Sequence, residues 1–515
     1  MKMKLQTVAV TLALMTTSAY SGTYFEPLNQ PNPNTDEATL NSTPFTIPKN
    51  YSQIFVTSRK TLNAQLGGDP DATGGAYPST FENWDMLDFG GDNSEFIYIP
   101  HEAEKGAGVT RFNRDNNEVV ILLEGNGSGT LDQNPDDGWD QMSDDFIGLD
   151  PAIITPSGTL ITGEEWGASA GRLFELGNPE TANSPADASW RWLSNIPSIS
   201  HEGIKFDNAG NMYMVDEFNS GSIYKFIPML AGDYSKGQTY VLSIDGYTGN
   251  ADEDYDSAAN KVAIRTGNAT WVPITNADGS AAATGMQSDP FDYTTRGGRQ
   301  AADEVNGTPY GRPEDLSMST ANGHEYLLFA TTSENIIYGV ELLTDSTAIV
   351  RPFVNSLVTP DLLGNAPVGQ GTNDSEYGLD DPDNLATDAA GNVFILEDEH
   401  PGDIWQAVDA NKDGVAEHVA LFASLGDYDS EPTGLKIDPR DPFTWYVNVQ
   451  HPCDYDCNDA LWMIKHDVTL SCNCQDSRNH GTYVSCVARV AKRLGINAEV
   501  KNALMEVAAN SSCGK

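Results

Sequence analysis

Acidic residues recur at one kind of position in this 515-residue chain. Glu202 stands just ahead of an apolar alternation, the chain turns at Asn208-Ala209-Gly210, and a second apolar run ends at Asp216-Glu217. The same order returns from Asp383 to Glu397-Asp398, and in looser form from Asp150 to Glu164-Glu165 and from Glu314 to Glu334. Like charges packed together with little water repel by several kcal/mol, so gathered carboxylates persist only if protonated or neutralised by cations. Hard cations suit them best. Ca²⁺ takes about six to eight oxygen ligands, and iron in its higher oxidation state also accepts carboxylates. The chemistry implied is Lewis-acid catalysis or structural cation binding.

Other residues have types and spacings worth weighing. Asp409, Asn411 and Asp413, followed by Gly414, carry the first half of a calcium-loop pattern, although position twelve is Ala420 rather than a glutamate. The alternatives there are a weak structural calcium site and a plain polar turn. Arg312, two residues before Glu314, is the cation best placed to fork onto an anionic substrate, or else to pair with its acidic neighbours. The Gly125–Gly129 run "GNGSG" has neither the helix nor the lysine of a phosphate-binding loop, and reads as a loop. No Gly-x-Ser-x-Gly elbow or His-Glu-x-x-His pair occurs. His101, His201, His324 and His400 fall near the ends of the repeated segments, where they would line the mouth or act as structural hydrogen bonders.

Six segments fit one template of carboxylate, strand, turn, strand and polar pair, starting near Glu82, Asp150, Glu202, Glu314, Asp383 and Glu431. Their β-branched and aromatic residues, with Gly, Asn, Asp and Pro turns, predict an all-β chain. Repetition at this scale predicts a six-bladed β-propeller over residues 81–465. The repeats are longer than the roughly 40 residues of compact propeller units, so loops must be inserted, the largest at about 231–311. In an antiparallel hairpin the start of the first strand and the end of the second share one end. Radial repetition would therefore gather Asp150, Glu164, Glu165, Glu202, Asp216, Glu217, Glu314, Glu334 and Asp383 at one mouth of a channel.

The chain carries 74 Asp plus Glu against 29 Lys plus Arg, a formal charge of −45. Such a surface repels nucleic acid and anionic membranes and attracts multivalent cations. Residues 1–21 read as a secretory signal peptide, with Lys2 and Lys4, an apolar run and small residues near Ser21. No other stretch approaches the ~18 apolar residues of a membrane span. The expected protein is exported, periplasmic or extracellular, with a monomer favoured. Residues 22–80 read as an N-terminal extension. All six cysteines, Cys453, Cys457, Cys472, Cys474, Cys486 and Cys513, lie in the last 63 residues. In an exported protein such a set predicts disulfides rather than zinc, and residues 466–515 read as a small disulfide-bonded helical segment.

The stretches "TPSGTLITGEEW", "HEGIKF", "GRPEDL" and "DDPDNLATDAAGNVFILEDE" together resemble the PhoX-type alkaline phosphatases, over roughly residues 80–465. The resemblance implies an exported six-bladed propeller that hydrolyses small phosphomonoesters with calcium and iron. By motif it implies metal ligation by Glu165, Glu202, Glu314 and Asp383, and substrate binding by Arg312, which would grip the phosphate, and by Asn384, with Glu397 close by. Family members carry an iron-ligating cysteine in a Cys-x-Gly-Gly-x-Thr-Pro pattern; here Asp150 stands in its place, and a lysine expected upstream has no counterpart. Asp150 can hold a hard cation. Two other readings use the same residues: a non-catalytic calcium-stabilised propeller that binds a surface partner or glycan, and a lactonase-like propeller hydrolase.

Overall fold

Aspartate followed four residues later by asparagine builds two of the tight hairpins of this chain. Asp207 Oδ1 accepts hydrogen bonds from the Ala209 and Asn211 amides at 3.0 and 2.8 Å, and Gly210 supplies the left-handed residue at φ +83°. Asp388, Ala390, Gly391 and Asn392 repeat the same turn. A side chain that mimics a backbone turn fixes where each strand reverses, and hence its register.

The structure, a computed structural model, describes residues 23, 25–31, 42–49, 51–66, 83–132, 138–165, 171–280, 282, 297–363, 378–398, 402–425, 430–441, 443–450, 458–466, 477–493, 505 and 508–509. The expected signal peptide, most of residues 281–296, His400 and every cysteine except Cys486 lie outside them.

The described strands form an all-β, propeller-like arrangement of antiparallel sheets with short inner strands. Four sheets of four or five strands stand separately. They are built on the inner strands Asp88–Gly90, Leu149–Ile154, Pro382–Thr387 and Glu431–Ile437. The expected six separate blades are not formed. The units that begin at His201 and Pro313 are joined into one nine-stranded sheet, because Gly267–Pro273 pairs with Asp233–Ile244 on one side and Thr347–Asn355 on the other. The inserted segment thus supplies a bridging strand as well as loops.

A second difference concerns the N-terminal extension. Tyr51–Ser58 pairs with Ala460–His466 and completes the sheet that begins at Glu431, while Phe45 and Thr46 pair with Leu425 and Ser424. Both cover strand edges that would otherwise be open to association. Between these sheets Phe394, Phe422 and Trp445 pack with ring centroids 5.1 to 5.5 Å apart. The helix His480–Arg493 adds Tyr483, Cys486, Val487, Val490 and Ala491 to the same core.

Inner strands from neighbouring units approach closely. A Cβ on Gly203 would meet the Leu316 amide nitrogen at 2.5 Å, so the glycine of "HEGIKF" is what lets His201–Phe206 lie against Pro313–Ala321.

Candidate metal centre

Four inner strands slip register near their starts. Leu149 pairs with Glu164 and pairing resumes at Ala152–Thr162; His201 pairs with Asp216 and resumes at Ile204–Met214. Pro313–Thr331 and Pro382–Glu397 are followed by the same slip. A bulge inserts one extra residue and re-aims the side chain beside it. The residue directly after each first pair is an acid: Asp150, Glu202, Glu314 and Asp383. Asp85, after the isolated Trp84–His101 bridge, follows suit.

These five carboxylates line one cavity of about 200 Å³. The residues just past the register partners on the second strands, Glu102, Glu165, Glu217 and Asp398, line it too, with Glu431, Gln450 and Arg312. Among the described residues ten carboxylates thus face one guanidinium. Glu202, Glu314 and Asp383 each offer an oxygen within 4.8 Å of the others.

Side chains alternate along a strand, so adjacent acids part company. Glu165 faces the cavity; Glu164 turns away and accepts from Arg172 Nε at 2.8 Å and Nη2 at 2.7 Å. Glu217 faces the cavity, whereas Asp216 meets Arg299 at 2.6 Å. Glu334 is held by Arg265 at 2.6 Å. The expected ring therefore loses Glu164, Asp216 and Glu334, which are neutralised structural acids.

Apart from Glu217 and Glu314, which share Arg312, the cavity acids have no such relief. Burial, then the charge of Glu314 and Asp383, holds Glu202 well above the ordinary carboxylate range. Burial does the same for Asp150, Glu165, Asp383 and Glu431, with neighbouring carboxylates adding to it. Burial lifts Asp85 to about 6 and Glu314 to about 7. Neither Asp150 oxygen receives a hydrogen bond from any donor, nor does Glu202 Oε2, although all three are buried. Orphaned, all-oxygen and anionic, this donor set fits hard cations.

Arg312 sits at φ +45° immediately before Pro313, a left-handed conformation that costs about 1–3 kcal/mol. Its Nε lies 2.9 Å from Glu217 Oε1 and 3.2 Å from Glu314 Oε1. Thr332 Oγ1 donates to Glu314 at 2.6 Å.

Not every expected site residue is brought here. Asn384 does not line the cavity: its Oδ1 accepts from Thr433 Oγ1 at 2.6 Å and from the Gly434 amide, and its Nδ2 donates to Asp383 Oδ1 at 3.2 Å. It ties Asp383 to the next inner strand. Asp409, Asn411 and Asp413 lie at the opposite end of their strands, beside the Asp388 turn, since Lys412 Nζ reaches Ala390 O. Their oxygens accept the loop's own Asp413, Gly414 and Val415 amides, the geometry of a polar turn. His101 is buried against Thr110 and His201 is buried in its strand; neither lines the cavity. The "GNGSG" loop wraps the Asp145 carboxylate with the Gly127 and Gly129 amides.

Sequence reasoning missed Asp85, Glu102, Asp398, Glu431 and Gln450 as lining residues. The signal was available for Glu102 and Asp398, each of which directly follows the register partner of an inner-strand residue.

A family model described as alkaline phosphatase PhoX matches residues 173–453. No curated protein matches the chain. Among solved structures the fold is similar to that of Pseudomonas fluorescens PhoX in complex with vanadate, a transition state analogue. That likeness has 15% identity and a TM-score of 0.57, over 86% of this chain and 98% of that one. A gluconolactonase from Xanthomonas campestris matches at 11% identity and a TM-score of 0.40, over 86% and 96%.

Proposed function

The chain belongs to the alkaline phosphatase PhoX family, and we propose that it is an exported, metal-dependent hydrolase of small phosphomonoesters acting in the carboxylate cavity. The observation that carries this reading is the imbalance of ten lining carboxylates against Arg312, with buried Asp150 and Glu202 oxygens left without a donor. Glu202, Glu314 and Asp383 would hold the central cation, with Asp150 and Glu165 on its flanks. Calcium, with iron as a second metal, suits these oxygens.

Bound cations would supply Lewis acidity toward phosphoryl oxygens and lower the pKa of a bound water. The chain's own residues do the rest. Arg312 presents a planar fork that suits two phosphoryl oxygens and the charge that grows on them. Glu217 and Glu314 hold that fork until an anion competes for it. Thr332 fixes Glu314, and Asn384 fixes Asp383, so both carboxylates keep their aim. Gln450 Nε2 donates to Glu102 at 3.1 Å and steadies the rim.

Export rests on the Lys2 and Lys4 leader with its apolar run. Among the described residues no helix is long and apolar enough to cross a membrane.

The test is hydrolysis of an aryl phosphate by full-length protein loaded with Ca²⁺ and iron. Turnover that is lost on chelation and in Glu314→Ala supports the reading. Full metal occupancy without phosphate release, alongside cleavage of a lactone, would replace the substrate class. Tight calcium with no hydrolysis of either would make the cavity a structural or partner-binding site.

A further inference from the structure

A buried acid recurs at or just past the end of the second strand in four places, each taking the amide one or two residues ahead of its inner strand. Glu164 accepts from Ile147, Asp216 from Ser200, Glu334 from Gly311 and Glu397 from Asp380. In three of them an arginine neutralises the charge: Arg172, Arg299 and Arg265, at 2.6 to 2.7 Å. The fourth breaks the rule. Glu397 Oε1 accepts from Asp380 N at 2.7 Å and from Trp405 Nε1 at 2.9 Å, and no lysine or arginine reaches it among the described residues. Besides Asp380, whose carboxylate also acts on it, the charged group opposite Glu397 is Asp403, set across from it by the Leu396–Ile404 pairing and the larger influence on it. Both side chains are 2% exposed, and Asp403 Oδ1 has no hydrogen-bond partner. Neither lines the ten-carboxylate cavity.

We propose that Glu397 and Asp403 hold a hard divalent cation of the calcium type, at a site separate from the cavity, which takes the place that arginine fills in the sister positions. Two buried carboxylates carry two negative charges, and leaving a charge buried without a partner costs several kcal/mol. A divalent cation balances both at once and accepts the unpartnered Asp403 oxygen as a ligand. Ser424, wholly buried beside Asp403, adds a neutral oxygen. The role is structural, an ion that fastens the end of Val393–Glu397 to the start of Asp403–Val408.

The experiment compares full-length wild type with Asp403→Asn and Glu397→Gln after dialysis against Ca²⁺, with metal per chain read by emission spectrometry. Wild type is expected to hold one ion more than either variant. Trp405, bonded to Glu397, is an antenna for terbium, so sensitised emission should fall in both variants and in Trp405→Phe. Emission through Trp405 should persist in Glu202→Gln, which empties cavity sites only. Glu397→Gln retains a carbonyl for the Asp380 amide and the indole, so it folds even where Asp403→Asn does not. Equal calcium and equal terbium emission in wild type and both variants would overturn the proposal and leave the pair sharing a proton. Because the readout is ion count at this pair, it stands whether or not the cavity hydrolyses phosphoesters.

Discussion

Arg312 and Glu217 come from different units and meet with Nε 2.9 Å from Oε1, at a backbone position where only strain allows a non-glycine residue. The strain and the ion pair together hold the guanidinium at the cavity mouth, where the side chain is 39% exposed. Arg312→Lys keeps the charge and loses the fork. The expected outcome is a KM for an aryl phosphate raised about tenfold, matching the worth of a charge-assisted pair of hydrogen bonds. Ion content should be unchanged. Steady-state kinetics with metal analysis checks it, and an unaltered KM would remove Arg312 from substrate binding.

Removing ions should expose the repulsion in the cavity. Burial raises Glu314 to about 7 and Asp85 to about 6, above the unfolded values of 4.5 and 3.8. In that window the folded, ion-free protein binds more protons than the unfolded chain, so stability falls as pH rises. The contribution is fully present below about pH 4 and lost by about pH 7. Chelator-treated protein should therefore melt higher at pH 5 than at pH 8. Calcium should restore the loss at pH 8 and matter little at pH 4.5. Scanning calorimetry at the three pH values, with and without chelator, decides the matter.

Arg172 is wholly buried among Glu164, Asp144 and the Asp145 carbonyl. Arg172→Ala strands two buried carboxylates and should cost about 3–5 kcal/mol in urea unfolding. Removing Arg191, whose side chain is 45% exposed, should cost about 1 kcal/mol or less. Similar losses from the two would mean that Arg172 contributes packing rather than charge.

Glu202→Ala and Glu314→Ala each delete one corner of the tight carboxylate group. Hydrolysis should drop by at least about 100-fold, a loss of some 2.7 kcal/mol in the barrier, with ion content reduced. Thr332→Val removes only the hydroxyl that steadies Glu314, and should weaken ion affinity by about five- to tenfold. Retention of all ions in Glu314→Ala would end its assignment as a ligand.

Much of this site could be read from local pattern. Hairpin geometry alone put Glu202 beside Asp216-Glu217, and Asp383 beside Glu397-Asp398, because strand reversal is fixed by the Asp207 and Asp388 turns. Which acid of each pair faces the cavity was not legible. That depends on Arg172, Arg299 and Arg265, which come from other segments, Arg299 from the helix Gly297–Glu304 and Arg265 from just ahead of Gly267–Pro273. Asp85 and Glu102 escaped because their segment matches the template weakly from a start at Glu82, and Glu431 because its hairpin ends in Gln450-His451 rather than acids, although register places them with the rest. The fusion of two units by Gly267–Pro273 was hidden in a stretch whose polar composition resembles loop. Asn384 was assigned to substrate by its neighbour's motif, yet its amide is spent on Thr433, Gly434 and Asp383.

The pairing of Tyr51–Ser58 with Ala460–His466 has a consequence for how the molecule is made. An early segment waits, unmatched, until some four hundred further residues have been synthesised or delivered. Ring closure is then the last event, with a loop entropy cost set by nearly the whole chain. During that interval Tyr51 and Leu62, both buried in the finished protein, travel uncovered. A holding chaperone, or slow rather than rapid translocation, would have to protect them, and maturation yield should depend on that delay more than on the stability of the finished protein.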